Sequence, residues 1–247
     1  MPIVPQRIDL LLVARGVFES RAKAQEAIAA GLVHVAGRLV TKASEKFEPD
    51  ADIAAEAPYP WVSRGGVKLA AALAAFGFDP AGRIALDIGA STGGFTHVLL
   101  TQGARRVHAI DVGQGQLHPS LRDDPRVASR EKQDARLLHV ADFAERPTAI
   151  TCDVSFISLA LVLPTVLALA ANGAWLVALI KPQFEVGPAL VTKGLVKDAA
   201  ARDKAVQAIK TLVETAGWRV EGIMPSPIAG GDGNLEFLIG ARLMNTP

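Results

Sequence analysis

At 247 residues, half of them hydrophobic, the chain is long enough to bury one large core and a small second one. Its 26 basic and 25 acidic side chains leave a formal net charge of +1, which excludes global charge as the means of binding nucleic acid and leaves only a local patch. The single cysteine, Cys152, excludes an internal disulfide and a cysteine zinc site, and reads as a buried thiol in a reducing cytoplasm.

Gln6 to Arg15 carries its apolar residues on one helical face and stops at Gly16; Ser20 then caps a second helix over Arg21 to Ala30, which stops at Gly31. Extended runs follow at Leu32–Val35 and Arg38–Val40 around an Ala36-Gly37 turn, and again at Asp52–Ala55. The result is a helix-helix-hairpin module within residues 1–57. Arg7, Arg15, Arg21, Lys23, Arg38, Lys42 and Lys46 supply cations against which a phosphate backbone can lie, whereas eight carboxylates up to Glu56 leave an ordinarily solvated small domain open. Tyr59-Pro60-Trp61 reads as a linker. Ser63-Arg64-Gly65-Gly66 leads into a helix, Val67–Phe76, with Lys68 at the dipole end that disfavours a cation. Lys68 is therefore either solvated or set against something negative.

From Gly82 onward, the expected elements are strand 84–88, helix 93–102, strands 106–110 and 126–129, helix 135–140, strand 149–153, helix 158–169, strand 173–179, helix 198–215, and strands 218–226 and 234–242. This alternation predicts a mostly parallel sheet covered on both faces, with an antiparallel hairpin at its edge turning at Ala229–Gly233. The most apolar stretch, Ile157–Ile180, is broken by Pro164, Asn172 and Gly173. No basic leader with an apolar core opens the sequence, so neither export nor stable membrane insertion is expected.

The first of these strands ends on Asp87 and enters a turn of small residues, Gly89, Ala90, Ser91, Thr92, Gly93 and Gly94, where backbone can approach a ligand at a helix N-terminus. The next strand ends on Asp111, an acidic tip suited to a ribose diol. The glycine spacing departs from the GxGxxG of dinucleotide enzymes, which favours S-adenosylmethionine over a nicotinamide cofactor.

Lys68, Asp153, Lys181 and Glu236 fall where the strand ends meet, and two cations with two anions nearly cancel, as a partly buried cluster requires. A structural ion-pair network satisfies the same balance. The functional reading is methyl transfer to a weak oxygen nucleophile such as a ribose 2′-hydroxyl, with Lys181 as base, its basicity lowered by desolvation and a second cation, and Asp153 orienting it. Lys68 and Glu236 would hold the nucleotide. No metal is required, and His34, His97, His108, His118 and His139 form no metal-like cluster.

Residues Arg7–Ser44, RIDLLLVARGVFESRAKAQEAIAAGLVHVAGRLVTKAS, resemble an S4 RNA-binding domain. WVSRGGVKL, LDIGASTGGFT, AIDVGQGQL, DVSFISL, IKPQFE and GNLEFL, in this order, resemble the TlyA family of haemolysins and 2′-O-ribose methyltransferases of ribosomal RNA, which fuse an S4 domain to an FtsJ-like methyltransferase domain. The resemblance implies an α/β, Rossmann-like methyltransferase domain over 82–247, a linker and helix carrying Lys68 over 58–81, and a small α+β S4-like domain over 1–57. It implies the catalytic set Lys68, Asp153, Lys181 and Glu236, and S-adenosylmethionine held by Asp87, Gly89, Ala90, Ser91, Thr92, Gly93, Gly94 and Asp111. RNA contacts are implied at Arg7, Ser20, Arg21, Lys23, Arg38, Lys42 and Arg64, although Asp9 and Ser20 also suit local capping or pairing. The implied partner is ribosomal RNA in a ribosomal subunit and not DNA, for a cytoplasmic monomer or weak homodimer.

Where the family shows Glu-Arg-Thr-Asn-Ala-Arg, this chain reads Glu131-Lys132-Gln133-Asp134-Ala135-Arg136. Asp134 can accept from an adenine amino group, and an exposed loop acid would look the same. The basic stretch Gly187–Lys197, with Lys193, Gly194 and Lys197, suits either a cover over RNA or a solvated loop. A non-enzymatic ribosome-binding factor lacking S-adenosylmethionine affinity and a haemolysin are the competing functions; the sequence lacks the apolar spans or barrel-length alternation that a pore needs.

Overall fold

The computed structural model describes residues 4–230 and 233–244, and the chain divides into two compact units, Met1–Pro60 and Trp61–Pro247. Of the expected 229–233 turn, Gly231 and Asp232 lie outside the described residues.

The first unit contains β1 (Gln6–Arg7), α1 (Ile8–Ala14), α2 (Arg21–Ala29), β2 (Val33–Val35), β3 (Arg38–Leu39), β4 (Lys46–Phe47) and β5 (Ile53–Ala55). β2 pairs antiparallel with both β3 and β5, and β1 pairs antiparallel with β4. The helix expected from Gln6 thus starts two residues later, because Gln6 and Arg7 take their backbone partners from Phe47 and Lys46. Ser20 caps α2 by accepting from the Lys23 amide. Ile8, Leu12, Ala24, Ala27 and Val33 are fully buried where the helix pair meets the sheet. The Arg15 guanidinium donates to the Pro49 and Ala51 carbonyls, closing the module with contacts that a solvated arginine would not make.

The second unit contains α3 (Gly65–Phe76), β6 (Ile84–Ile88), α4 (Gly94–Thr101), β7 (Arg106–Ile110), α5 (Pro119–Arg122), β8 (Val127–Arg130), β9 (Ala149–Cys152), α6 (Leu159–Ala168), β10 (Trp175–Ile180), α7 (Pro182–Glu185), α8 (Ala199–Thr215), β11 (Trp218–Pro225) and β12 (Phe237–Leu243). They form a seven-stranded sheet of order β11-β12-β10-β9-β6-β7-β8, parallel except for β12, which is antiparallel to both neighbours. β10 is apolar throughout, and β6 and β9 are apolar but for Asp87 and Thr151, because both faces are covered: α3, α4 and α5 on one, α6 and α8 on the other. The chain winds outward from β6 to β8, then returns to place β9 on the other side of β6. That reversal opens a crevice at the carboxyl ends of β6 and β9.

The expected helix 135–140 is replaced by two short 3-10 turns, Ala135–Leu137 and Val140–Asp142. Side chains cut it: Asp134 accepts from the Arg136 amide, and the Asp142 carboxylate accepts from the His139 amide, so each turn closes on its own acid before an α-helix can propagate. The segment 58–81 is divided as well. The Tyr59 hydroxyl donates to Glu26 within the first unit, whereas Trp61 and Val62 pack into the core of the second. Ile157–Ile180 forms α6 and β10, and no helix of the described residues is long and apolar enough to cross a membrane. Cys152 is fully buried, and burial with neighbouring carboxylates pushes its thiol pKa far up.

Candidate functional site

Two cavities open above the carboxyl ends of the central strands. The first, about 370 Å³, is lined by Gly89, Ser91, Asp111, Gln133, Asp134 and Asp153 among others. Gly89 has φ +78°, and a Cβ there would lie 2.3 Å from the Asp153 carbonyl oxygen, so glycine is demanded by the neighbouring strand tip. Gly93, at φ +96°, is required by its backbone conformation, and a Cβ there would meet only the side-chain ends of Leu121 and Leu117. The small residues of this turn therefore first let strands and helices close together, and the cavity results from that closure.

The cofactor residues expected from the sequence fall into two groups. Gly89, Ser91, Asp111 and Asp134 line the cavity; Asp87, Ala90, Thr92, Gly93 and Gly94 sit around or beneath the turn. Asp111 is aimed by two amides, Ser91 N–H at 2.8 Å and Gly113 N–H at 2.7 Å, with Ser91 held at φ +48°. Each carboxylate oxygen keeps a further lone pair for a hydroxyl. Asp134 accepts from the amide and the guanidinium of Arg136, which holds its carboxyl below the usual range. Asp87 lies fully buried, with no cation paired to it among the described residues, accepting from Thr96 Oγ1 at 2.7 Å and Thr151 Oγ1 at 2.8 Å. Burial raises its pKa to about 6 against those two hydrogen bonds. It ties β6 to α4 and β9 from below.

The second cavity, about 390 Å³, is lined by Arg64, Lys68, Ser155, Phe156, Lys181, Gln183, Phe184, Val191, Gly194 and Glu236. Lys68, from the first turn of α3, meets Glu236, just ahead of β12, with Nζ 2.5 Å from Oε2 and both side chains buried. Lys181, at the end of β10, lies 2.6 Å from Asp153 Oδ1 and donates to Ser155 Oγ at 2.8 Å. The four residues expected to converge do so, as two separate pairs in which each cation has its own carboxylate. Asp153 lines the first cavity and Lys181 the second, so their pair bridges the wall between them. Ser155 and Phe156 line both.

Several contributors were not singled out from the sequence. Phe156 has φ +63° and is 91% exposed, a strained backbone presenting an apolar ring to solvent beside Phe184, whose ring centroid is 5.2 Å away. Glu185 accepts from Ser158 Oγ and from the Leu159 amide, capping α6 and locking the turn after Lys181 onto the Ser155–Ser158 loop; burial raises its pKa. The buried Asn234 amide donates to the Gly194 carbonyl and accepts from the Val196 amide, so the 187–197 stretch is pinned and walls the second cavity through Val191 and Gly194.

The RNA-contact candidates are scattered by comparison. Arg7 and Arg21 both donate to the fully buried Asp9, which also accepts from Gln25, and the guanidiniums hold its carboxyl far below the usual range. Ser20 caps α2, Lys23 lies 3.9 Å from Glu19 and over the Tyr59 ring, and Arg38 pairs with Glu45 over Phe47. Lys42 is exposed, and Arg64 belongs to the second cavity.

A doubly wound sheet with one reversed strand, a cavity at its switch point and a charged cavity beside it define a Rossmann-like methyltransferase carrying a separate small α+β domain. The chain belongs to the FtsJ-like methyltransferase family, whose model matches residues 61–243, and an S4 domain matches residues 6–53. It is 43% identical over 239 residues to the 16S/23S rRNA (cytidine-2′-O)-methyltransferase TlyA of Mycobacterium tuberculosis, covering 96% of this chain and 89% of that one. It is 40% identical to Hemolysin A of Brachyspira hyodysenteriae over 94% of this chain and 98% of the other. A solved Streptococcus thermophilus structure that goes under a hemolysin name superimposes with TM-score 0.77 at 39% identity, covering 99% of this chain and 90% of that one.

The methyltransferase fold implies S-adenosylmethionine, and the first cavity fits it. Asp111 can take a ribose diol, Asp134 an adenine amino group, and the Gly89 turn leaves backbone, without a Cβ, beside the strand tips.

Proposed function

We propose that the protein methylates a ribose 2′-hydroxyl of ribosomal RNA within a ribosomal subunit in the cytoplasm. The observation that carries this reading is the Asp153–Lys181 pair: it joins a cofactor-sized cavity to a second cavity charged and open enough for a nucleotide. The names of the M. tuberculosis relative and the S4 match support ribosomal RNA as the substrate.

When bound, S-adenosylmethionine would supply a methyl group activated as a sulfonium, the C–S bond breaking as the O–C bond forms and leaving a neutral thioether. Lys181 faces the acceptor. Its Nζ donates to Ser155 Oγ and lies in ion-pair range of Asp153, at the wall where the incoming 2′-oxygen would sit. As the neutral amine it accepts the 2′-hydroxyl proton, and Asp153, 2.6 Å away, holds the ammonium that results. Lys68, fixed by Glu236, presents a cation to the phosphate beside the ribose. Alignment within the shared wall supplies the rest of the acceleration.

Incubating the purified protein and tritiated S-adenosylmethionine with ribosomal subunits from cells lacking the gene tests this. Label in a 2′-O-methylated nucleoside is expected. Label on a base, or none on either subunit, overturns it.

A further inference from the structure

The second cavity holds a group that the methyl-transfer machinery does not use. Gln183 lies on α7, two residues beyond Lys181, and its side-chain Oε1 is buried without a hydrogen-bond partner among the described residues. An unsatisfied buried amide oxygen is destabilising, and native proteins retain few of them. Its companions in the wall decide what it waits for. Glu236, the carboxylate in this wall, is engaged by Lys68, and Lys68 and Lys181 are its ammonium groups, whereas Phe184 beside Gln183 and the exposed Phe156 form an apolar side, their rings inclined at 51°. A phosphate suits the lysines. A planar, polar-edged ring suits the aromatic side with the unpartnered amide oxygen beside it.

We propose that Gln183 is a specificity-determining residue for the acceptor nucleotide, its Oε1 accepting a hydrogen bond from the exocyclic amino group of the acceptor base. The inference rests on the ribose-methylation reading and adds base selection to it. Adenine, cytosine and guanine each carry an exocyclic amino group on the Watson–Crick edge; uracil carries none, and a carbonyl facing the Gln183 oxygen would leave both acceptors unpaired. Amide O and N exchange by a half-turn of the side chain, so the selectivity is set by which orientation the surrounding wall keeps.

The test combines the full-length protein, its Gln183→Leu and Gln183→Met variants, and subunits in which the methylated nucleotide has first been mapped with the parent enzyme. The mapped base is expected to be one with an exocyclic amino group, cytosine, adenine or guanine. On that substrate either variant should lose about 10- to 100-fold in kcat/KM for the subunit while S-adenosylmethionine affinity stays within about twofold. On subunits carrying uridine at the mapped position, the parent should be slower by about tenfold or more, and the variants should show little difference between the two bases. Without RNA, the variants should melt no lower than the parent, since the orphan oxygen has been removed. A mapped uridine, parent-like kcat/KM in both variants, or unchanged base discrimination would overturn the role of Gln183 while leaving ribose methylation intact. Absence of transfer by the parent to either subunit would instead overturn the underlying reading.

Discussion

Asp9 in the first unit and Asp87 in the second are both fully buried carboxylates, yet their surroundings are opposite. Asp9 is gripped by two guanidiniums and an amide, so its charge is compensated and its proton is lost easily. Asp87 has two hydroxyl donors and, among the described residues, no cation, so burial wins and its pKa climbs to about 6. The contrast extends to the cations. Arginines 7 and 21 converge on an internal acid and stabilise a fold, whereas Lys68 and Lys181 are paired at the rim of a cavity and keep faces toward it. A basic residue in a motif is thus no measure of the charge offered to a ligand; the depth and number of its acidic partners are.

The largest expected effect lies on the cavity side of this comparison. Lys181→Ala should lower kcat for methyl transfer by about two to four orders of magnitude, with S-adenosylmethionine affinity and unfolding midpoint near the parent's. Lys68→Ala should raise KM for the subunit as well, because Glu236 is then buried without its partner and the phosphate loses a cation. Rapid-quench turnover and calorimetric cofactor binding on the same preparations separate the two. Equal loss of stability and activity in Lys181→Ala would place this pair with Asp9, as structure alone.

Much of this was legible because strand ends and loops announce themselves in sequence. Asp87, Asp111, Asp153 and Lys181 each close an apolar run, and a doubly wound sheet brings such closing residues to one side whatever their separation in the chain. The partnership of Asp153 with Lys181 was read from the two strand ends, whereas the direct closure of Lys68 on Glu236 depends on β12 running antiparallel between β10 and β11. The orphan Gln183 oxygen and the strained Phe156 are likewise three-dimensional facts, carried by residues whose types signal nothing. At 135–140 the periodicity misled because Asp134 and Asp142 offered the backbone closer partners than the next helical turn. The Arg7-x-Asp9 and Ser20-Arg21 signatures predicted the right domain, but part of the pattern serves Asp9.

The next effect is on stability. Asp9→Ala should cost the first unit about 2–3 kcal/mol, the worth of charge-assisted hydrogen bonds to a buried acid, read by urea unfolding of the full chain. Arg7→Glu and Arg21→Glu should follow the same direction, so RNA binding lost in them reports unfolding as much as contact. If Asp9→Ala unfolds with the parent's midpoint, the two guanidiniums are held elsewhere and the contrast with the cavity lysines weakens.

Asp9 and Asp87 are separated most sharply by pH. A carboxyl whose folded pKa is raised binds its proton more readily in the folded state, so its contribution is complete below the unfolded value of 3.8 and is lost as pH rises through about 6. A rise of about two pH units, at about 1.36 kcal/mol each, makes the parent's stability relative to Asp87→Asn fall by up to about 3 kcal/mol between pH 4 and 7. For Asp9 the sign is reversed and its window lies below pH 4, so the parent's advantage over Asp9→Asn should be flat across that interval. Urea titrations of the three proteins at four pH values decide it; parallel lines for both variants would show that Asp87 is charged in the fold after all.

The smallest effect tests which cations of the first unit reach RNA. Lys42 and Lys46 are exposed, and neither belongs to the Asp9 cluster. If they contact phosphate, Lys42→Ala and Lys46→Ala should each leave the unfolding midpoint unchanged and weaken subunit binding. Each should also flatten the dependence of log affinity on log salt by about 0.7–0.9. Arg15→Ala supplies the control, since its guanidinium is engaged by the Pro49 and Ala51 carbonyls: it should lower stability and leave the salt slope alone. A salt slope that both lysine variants share with the parent would move the electrostatic contact to the second unit, where Arg64 and Lys68 already face a nucleotide-sized cavity.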